Sequence, residues 1–120
     1  MEAGMRDPIK EQATVFQALA DPTRLRLLKL LCDQRAPDAL CVNALAGLLG
    51  TSQPAVSQHL RVLKSVGLVR GDRRGYHVHY SVDPEVLKHY QDMIAGTLSI
   101  GKQEEADPCK ACEAKAGGPK

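Results

Sequence analysis

The sequence predicts a mainly α fold with a β-hairpin wing, a winged helix-turn-helix. Three observations carry this. Two helical patterns separated only by Gly50-Thr51-Ser52 precede two β-rich segments joined through Arg73-Arg74-Gly75, giving the order helix, short turn, helix, basic hairpin. Aromatic residues are 3% of the 120 and Trp is absent, so the core must be aliphatic, a composition that favours helices. The positive charge is clustered: residues 51–82 hold five basic and one acidic side chain, against six of each in residues 1–50. Such clustering is the electrostatic footprint expected of a phosphate-contacting surface.

Ile9, Ala13, Phe16 and Leu19 recur at helical spacing and predict a first helix over residues 9–19 with one apolar stripe. Asp21-Pro22 is the pattern of an N-cap followed by proline in the first turn, where a missing N–H breaks no helical bond. Leu25, Leu28, Leu31 and Cys32 then give a second helix its apolar face. Residues 33–40, which contain Pro37, read as a loop. Val42, Leu45, Ala46 and Leu49 predict a short third helix that Gly50 ends. Ser52 is the N-cap of a fourth helix that carries Pro54 in its first turn and runs to Gly67. Its residues Val56, Leu60 and Leu63 define a buried stripe, which leaves Gln53, Ser57, Gln58, Arg61 and Lys64 elsewhere on the helix.

Residues 68–72 and 76–82 are rich in β-formers and predict a hairpin with a basic tip at Arg73 and Arg74. His77 and His79 alternate on its second strand and therefore share a face. Asp83-Pro84 repeats the cap-plus-proline start. Val86, Leu87, Tyr90, Met93, Ile94 and Leu98 make a last helix ending near Gly101, too apolar for one small domain to cover, so part of it should meet a second subunit. Residues 102–120 are charged and almost without large apolar groups, and are expected to be a flexible tail containing cysteine. The expected organisation is a DNA-binding and dimerisation domain over residues 1–101 followed by that tail.

The major groove of B-DNA admits one helix, and a flanking β-ribbon can reach the neighbouring phosphates or minor groove. Gln53 and Gln58 can bond bidentately to adenine, Arg61 can face guanine or phosphate, and Ser57 is small enough for close approach. Arg73 and Arg74 suit the backbone or minor groove, and Ser52, His59, Lys64 and His77 complete the candidate DNA-binding set. Any exposed helix needs polar side chains, so the ordered set carries this reading rather than one residue. There is no Gly-rich phosphate loop, no Ser/His/Asp set in a recognisable order and no His-Glu-x-x-His, which argues against an enzyme. No apolar run approaches the roughly 20 residues that span a bilayer, and the first residues lack an apolar signal-peptide region. A cytoplasmic location without a membrane partner is expected.

Four blocks in order resemble the ArsR/SmtB family of bacterial metal-responsive repressors: residues 18–28 (Ala-Leu-Ala-Asp-Pro-Thr-Arg-Leu-Arg-Leu-Leu), 40–46 (Leu-Cys-Val-Asn-Ala-Leu-Ala), 52–63 (Ser-Gln-Pro-Ala-Val-Ser-Gln-His-Leu-Arg-Val-Leu) and 74–80 (Arg-Gly-Tyr-His-Val-His-Tyr). The resemblance covers about residues 9–100 and implies a homodimer built from the first and last helices on a palindromic operator, with repression relieved when a ligand binds. His59 and Tyr80 match family positions and are read first as structural. The family's thiol site uses Leu-Cys-Val-Cys at the third helix; here Cys41 matches the first sulfur and Asn43 replaces the second. The family's zinc site on the last helix is broken as well, since Glu85 replaces a histidine and the later positions fall near Gly96 and Ser99.

A site using Cys41 therefore needs ligands from elsewhere. Cys109 and Cys112, as Cys-Lys-Ala-Cys in a polar tail, have no packing role and are the expected partners for As(III), Cd(II), Pb(II) or Zn(II). Cys32 is expected in the core beside Leu28 and Leu31. A thiol redox switch and a winged helix without ligand response stay open as alternatives, and the inducer is not identified by the sequence.

Overall fold

The computed structural model describes residues 7–34 and 40–101. Its elements are α1 (Pro8–Leu19), α2 (Pro22–Asp33), β1 (Leu40–Cys41), α3 (Val42–Leu49), α4 (Gln53–Ser65), β2 (Val69–Arg74), β3 (His77–Val82) and α5 (Pro84–Thr97). Four helices start alike. Asp7, Asp21, Ser52 and Asp83 each accept a backbone N–H of the first turn through the side chain, and a proline follows within two positions. Gly50 closes α3 at φ 68°, a left-handed conformation that glycine adopts without strain.

The core is aliphatic, with Val15, Leu27, Leu45, Val56, Leu60, Leu63 and Leu68 fully buried and Tyr90 the one aromatic ring among them. Leu63→Ala is expected to cost about 2–5 kcal/mol, because the lost burial is joined by a cavity that the helices only partly refill. Urea unfolding would show it as a lower midpoint at unchanged slope. A loss below about 1 kcal/mol would place Leu63 outside the core.

The sheet has the order β1-β3-β2 and is antiparallel throughout, with Cys41 opposite His79 and pairs running from Val69–Val82 to Arg74–His77. The two-residue turn is Gly75-Tyr76, with Gly75 at φ 68° in the first central position, where a type II′ turn requires glycine. Gly71 is fixed by close approach, since a Cβ there would lie 2.8 Å from Val78 Cγ1 and 3.0 Å from Tyr80 Cε1. Gln34 joins α2 to this sheet: its Nε2 donates to Tyr80 O at 2.8 Å and its Oε1 accepts Leu40 N at 3.0 Å.

Several expectations need correction. On α1 the inward row is Gln12, Val15 and Ala18, whereas Ile9, Ala13 and Phe16 lie exposed on another side. On α2 the inward residues are Leu27 and Leu31, while Leu25 and Cys32 are exposed. Cys32 is thus not a core residue. Leu40 belongs to a two-residue strand rather than a loop, because Gln34 and β3 supply its backbone partners. Arg73 and Arg74 stand in β2 rather than at the tip, and the last helix stops at Thr97. Cys109 and Cys112 and the expected tail lie outside the described residues.

Candidate nucleic-acid interface

The amphipathic pattern of α4 fixes what it displays. Val56, Leu60 and Leu63 are buried, and Gln53, Ser57, Gln58, Arg61 and Lys64 are exposed. Ser52 is exposed at the N-terminus, with its hydroxyl oxygen accepting Ala55 N at 3.3 Å. Beside this helix the wing exposes Arg70, Arg73, Arg74 and His77, and Tyr76 at the turn is 98% exposed. Arg70 and Tyr76 were not singled out in the sequence. The alternation of β2 outward from the buried Val69 would have placed Arg70 on the surface.

Two bonds hold α4 in place. Arg24 Nε donates to Ala18 O at 2.6 Å, and its Nη1 donates to His59 Nδ1 at 3.2 Å, tying the α1–α2 junction to the middle of α4. A guanidinium can only donate, so Nδ1 must accept and the ring proton sits on Nε2. His59 is therefore half-buried and engaged inward, unlike its polar neighbours on α4. At the other end, Tyr90 Oη of α5 donates to Val66 O, the C-cap of α4, at 2.9 Å. Arg70 of the wing lies 3.8 Å from the Asp83 carboxylate at the start of α5. Helix α4 and the wing are thus both tied to α5.

The backbone N–H of Arg24 holds the Asp21 carboxyl below its ordinary value of 3.8, with the backbone N–H of Thr23 and the Arg24 charge adding to this against a desolvation that opposes it. A lowered carboxyl pKa stabilises the fold above the unfolded value and loses that stabilisation as pH falls through the folded one. The α2 cap is consequently complete at neutral pH and loosens only below about pH 3.8. Far-UV circular dichroism of Asp21→Asn should accordingly show a weaker acid dependence below that pH than the parent.

The thiols have unlike settings. Cys41 is half-buried as the N-cap of α3, makes no capping hydrogen bond through its side chain, and lines a pocket of about 210 Å3 with Asn43, Gln53, Tyr76 and His77. Cys32 opens on a groove of about 500 Å3 whose walls include Gln34, Arg70, Asp72 and Arg74. Desolvation in that groove, followed by the charge of Asp33, pushes its thiol above the ordinary value, which disfavours the thiolate. Among the described residues no group of three His, Cys, Asp or Glu could hold a metal ion as it stands. No helix among them is long and apolar enough to cross a membrane.

Comparison with known proteins agrees with this arrangement. Residues 21–70, from the Asp21 cap to the start of the wing, match the family described as bacterial regulatory protein, arsR family. The chain is 42% identical over 88 residues to a transcriptional repressor SmtB homolog of Synechocystis, covering 72% of this chain and 64% of that one. It is 45% identical over 98 residues to a probable mercury resistance operon repressor of Streptomyces lividans, covering 81% of this chain and 74% of that one. Among solved structures it resembles the homodimeric winged helix-turn-helix DNA-binding domain of a possible ArsR-family regulator from Mycobacterium bovis. That likeness has a TM-score of 0.61 at 29% identity and covers 80% of this chain and 90% of the other. With the helix-turn-helix matched and the identity extending over most of the Streptomyces protein, the chain belongs to the ArsR family of bacterial regulatory proteins and is a winged helix-turn-helix transcriptional regulator rather than an enzyme.

Proposed function

We propose that the protein is a repressor that binds a palindromic operator as a homodimer and leaves it when a thiol-binding inducer is captured. The inducer is arsenite or another soft ion, held by Cys41 with Cys109 and Cys112. One observation carries the DNA-binding reading: α4 buries Val56, Leu60 and Leu63 while exposing five polar side chains beside an exposed row of wing arginines. Gln53, Ser57, Gln58 and Arg61 read base edges, whereas Lys64, Arg73, Arg74 and His77 contact the backbone. The names of the Synechocystis and Streptomyces relatives support a metal-linked repressor.

The dimer reading rests on α1 and α5, which pack together, with Ile9 (60%) and Phe16 (42%) exposed on α1 and Leu98 (70%) exposed as the C-cap of α5. A second copy covering these residues would join two α4 helices through the Tyr90 bond, giving the fixed spacing that a palindrome demands. Phe16→Glu with Leu98→Glu is expected to shift sedimentation at micromolar concentration from dimer to monomer, because a carboxylate forced into a dry interface is desolvated without a partner. A variant that sediments like the parent would move the interface elsewhere.

Inducer capture at Cys41 acts only if the ion binds the DNA-free state more tightly than the DNA-bound one. The pocket beside Cys41 reaches Gln53 of α4 and His77 of the wing, so a ligand there can bias both DNA-contacting elements. Operator release by arsenite and cadmium in the reduced full chain tests this function, and an operator affinity unmoved by either ion would refute it.

A further inference from the structure

Ile9 and Phe16 on α1 and Leu98 after α5 are exposed where a second copy would cover them. Two other exposed leucines lie on different helices. Leu25 on α2 is 49% exposed and Leu48 on α3 is 61% exposed. They face outward because α2 turns Leu27 and Leu31 into the core and α3 turns Leu45 and Ala46 into it. Both line one groove of about 410 Å3, whose remaining walls are Arg26, Lys29, Leu30 and Leu49. A single exposed leucine is ordinary, but leucines from two helices meeting in one apolar strip between basic side chains mark an interaction site. No residue of α1, α4, α5 or the wing lines the groove, so it is separate from the dimer face and from the candidate DNA-contacting set.

We propose that this groove is a docking surface for an acidic amphipathic helix of a partner protein. Leu25, Arg26, Lys29 and Leu48 are all exposed, so the groove does not enclose a small molecule, whose sites bury about 70–90% of the ligand. All of its walls belong to α2 and α3, so an extended peptide finds no sheet edge to join. A helix that lays apolar side chains at i, i+3, i+4 and i+7 between two others needs no such edge.

The charge of the partner follows from the rim. Both ionic residues of the groove are basic. Arg26 makes no hydrogen bond or ion pair among the described residues. Lys29 lies 3.3 Å from Asp33 one turn along α2, with both side chains largely exposed. An exposed pair of that kind contributes little, and a partner's carboxylate can share or replace it. Glutamate or aspartate flanking the partner's apolar stripe thus complements both cations. A phosphate backbone would answer the cations but leave the leucine strip uncovered. Gly50-Thr51-Ser52 joins α3 to α4, so the partner rides on the helix-turn-helix while the exposed side chains of α4 stay open. The proposal does not depend on the inducer thiols.

The probe is a fluorescent peptide of about 16 residues with leucine at i, i+3, i+4 and i+7 and glutamate on its other face, beside a twin with lysine in place of glutamate. Each is titrated into the full chain by anisotropy, and the contact is mapped by amide resonances. The glutamate peptide is expected to bind about tenfold or more tightly than its twin and to shift the amides of Leu25, Leu30, Leu48 and Leu49. Leu25→Ser with Leu48→Ser should weaken it by about tenfold or more. Arg26→Glu with Lys29→Glu should reverse the preference toward the lysine peptide. No binding of the glutamate peptide, or a preference that survives charge reversal, overturns the proposal. Shifts confined to α1 and α5 would overturn it in favour of the dimer face. A lower sedimenting mass for the leucine variant without peptide would make a second copy the occupant, and a smaller salt slope of operator binding in the charge variant would make it DNA. Should the leucine variant fail to fold, the charge reversal alone decides, since it changes only exposed ends of α2 side chains.

Discussion

Replacing Gln58 and Arg61 together by alanine is expected to weaken operator binding by about 2–6 kcal/mol while leaving binding to unrelated duplexes much less affected. Both side chains stand exposed on α4, whose opposite face is locked into the core by Val56, Leu60 and Leu63. Each base-reading pair contributes about 1–3 kcal/mol of discrimination, so the loss should appear as relaxed preference at the base pairs they face. Arg73→Ala with Arg74→Ala should differ in kind. Losing phosphate contacts weakens all sequences alike and flattens the dependence of log K on log salt by about 0.9 per contact. Titrations at three or more salt concentrations separate the two patterns. An α4 double variant that bound operator like the parent would remove α4 as the reading helix.

Cys41→Ser is expected to abolish release of the operator by cadmium and arsenite, with operator affinity in the absence of ion within a few-fold of the parent. Serine keeps the size and N-cap position of Cys41 but offers a hard oxygen in place of a thiolate, and soft ions discriminate strongly between the two. The Cys109→Ser, Cys112→Ser pair should lose most of the response as well. Cys32→Ser should retain it, because the Cys32 thiol opens on a separate groove and is held toward its protonated form by desolvation and by Asp33. A full response in the tail variant would exclude Cys109 and Cys112 from the site. Release by oxidants with none by ions would replace metal capture with a thiol redox switch.

Much of the fold is legible in the sequence where a local signal and the tertiary packing agree. The Asp21-Pro22, Ser52 and Asp83-Pro84 starts, the Gly50 stop and the Val56, Leu60, Leu63 stripe are all local rules that the structure obeys. The faces of α1 and α2 were not legible for a physical reason. Both helices carry apolar residues on two sides, and periodicity alone does not say which side meets the core and which is left for a partner. Gln12, 5% exposed, sits on the inward face of α1, a position that hydrophobicity would assign to an apolar side chain. The strand β1 is only Leu40–Cys41 and depends on the Gln34 side chain and on β3, distant in sequence, so no local pattern marks it. The hairpin turn was placed early because Arg70, Asp72 and Arg74 give β2 a charged surface that resembles a loop.

For the site, the exposed set on α4 follows from helical geometry and was readable. His59 was read first as structural, but its partner was not legible, since the bond depends on Arg24 arriving from α2, distant in sequence. The pairing of Cys41 with His79 depends in the same way on strand register.

The most direct measurement is fluorescence anisotropy of the reduced full chain on a duplex selected from a random library, at several salt concentrations, with and without cadmium or arsenite. The expected result is one dimer on an inverted repeat, with an affinity of about 10⁻⁸–10⁻¹¹ M near physiological salt and orders of magnitude above that for random sequence. Added ion should lower that affinity by about tenfold or more, and a thiol chelator should restore it. Equal affinity for selected and random duplexes, or an operator complex indifferent to both ions, would contradict a thiol-gated repressor.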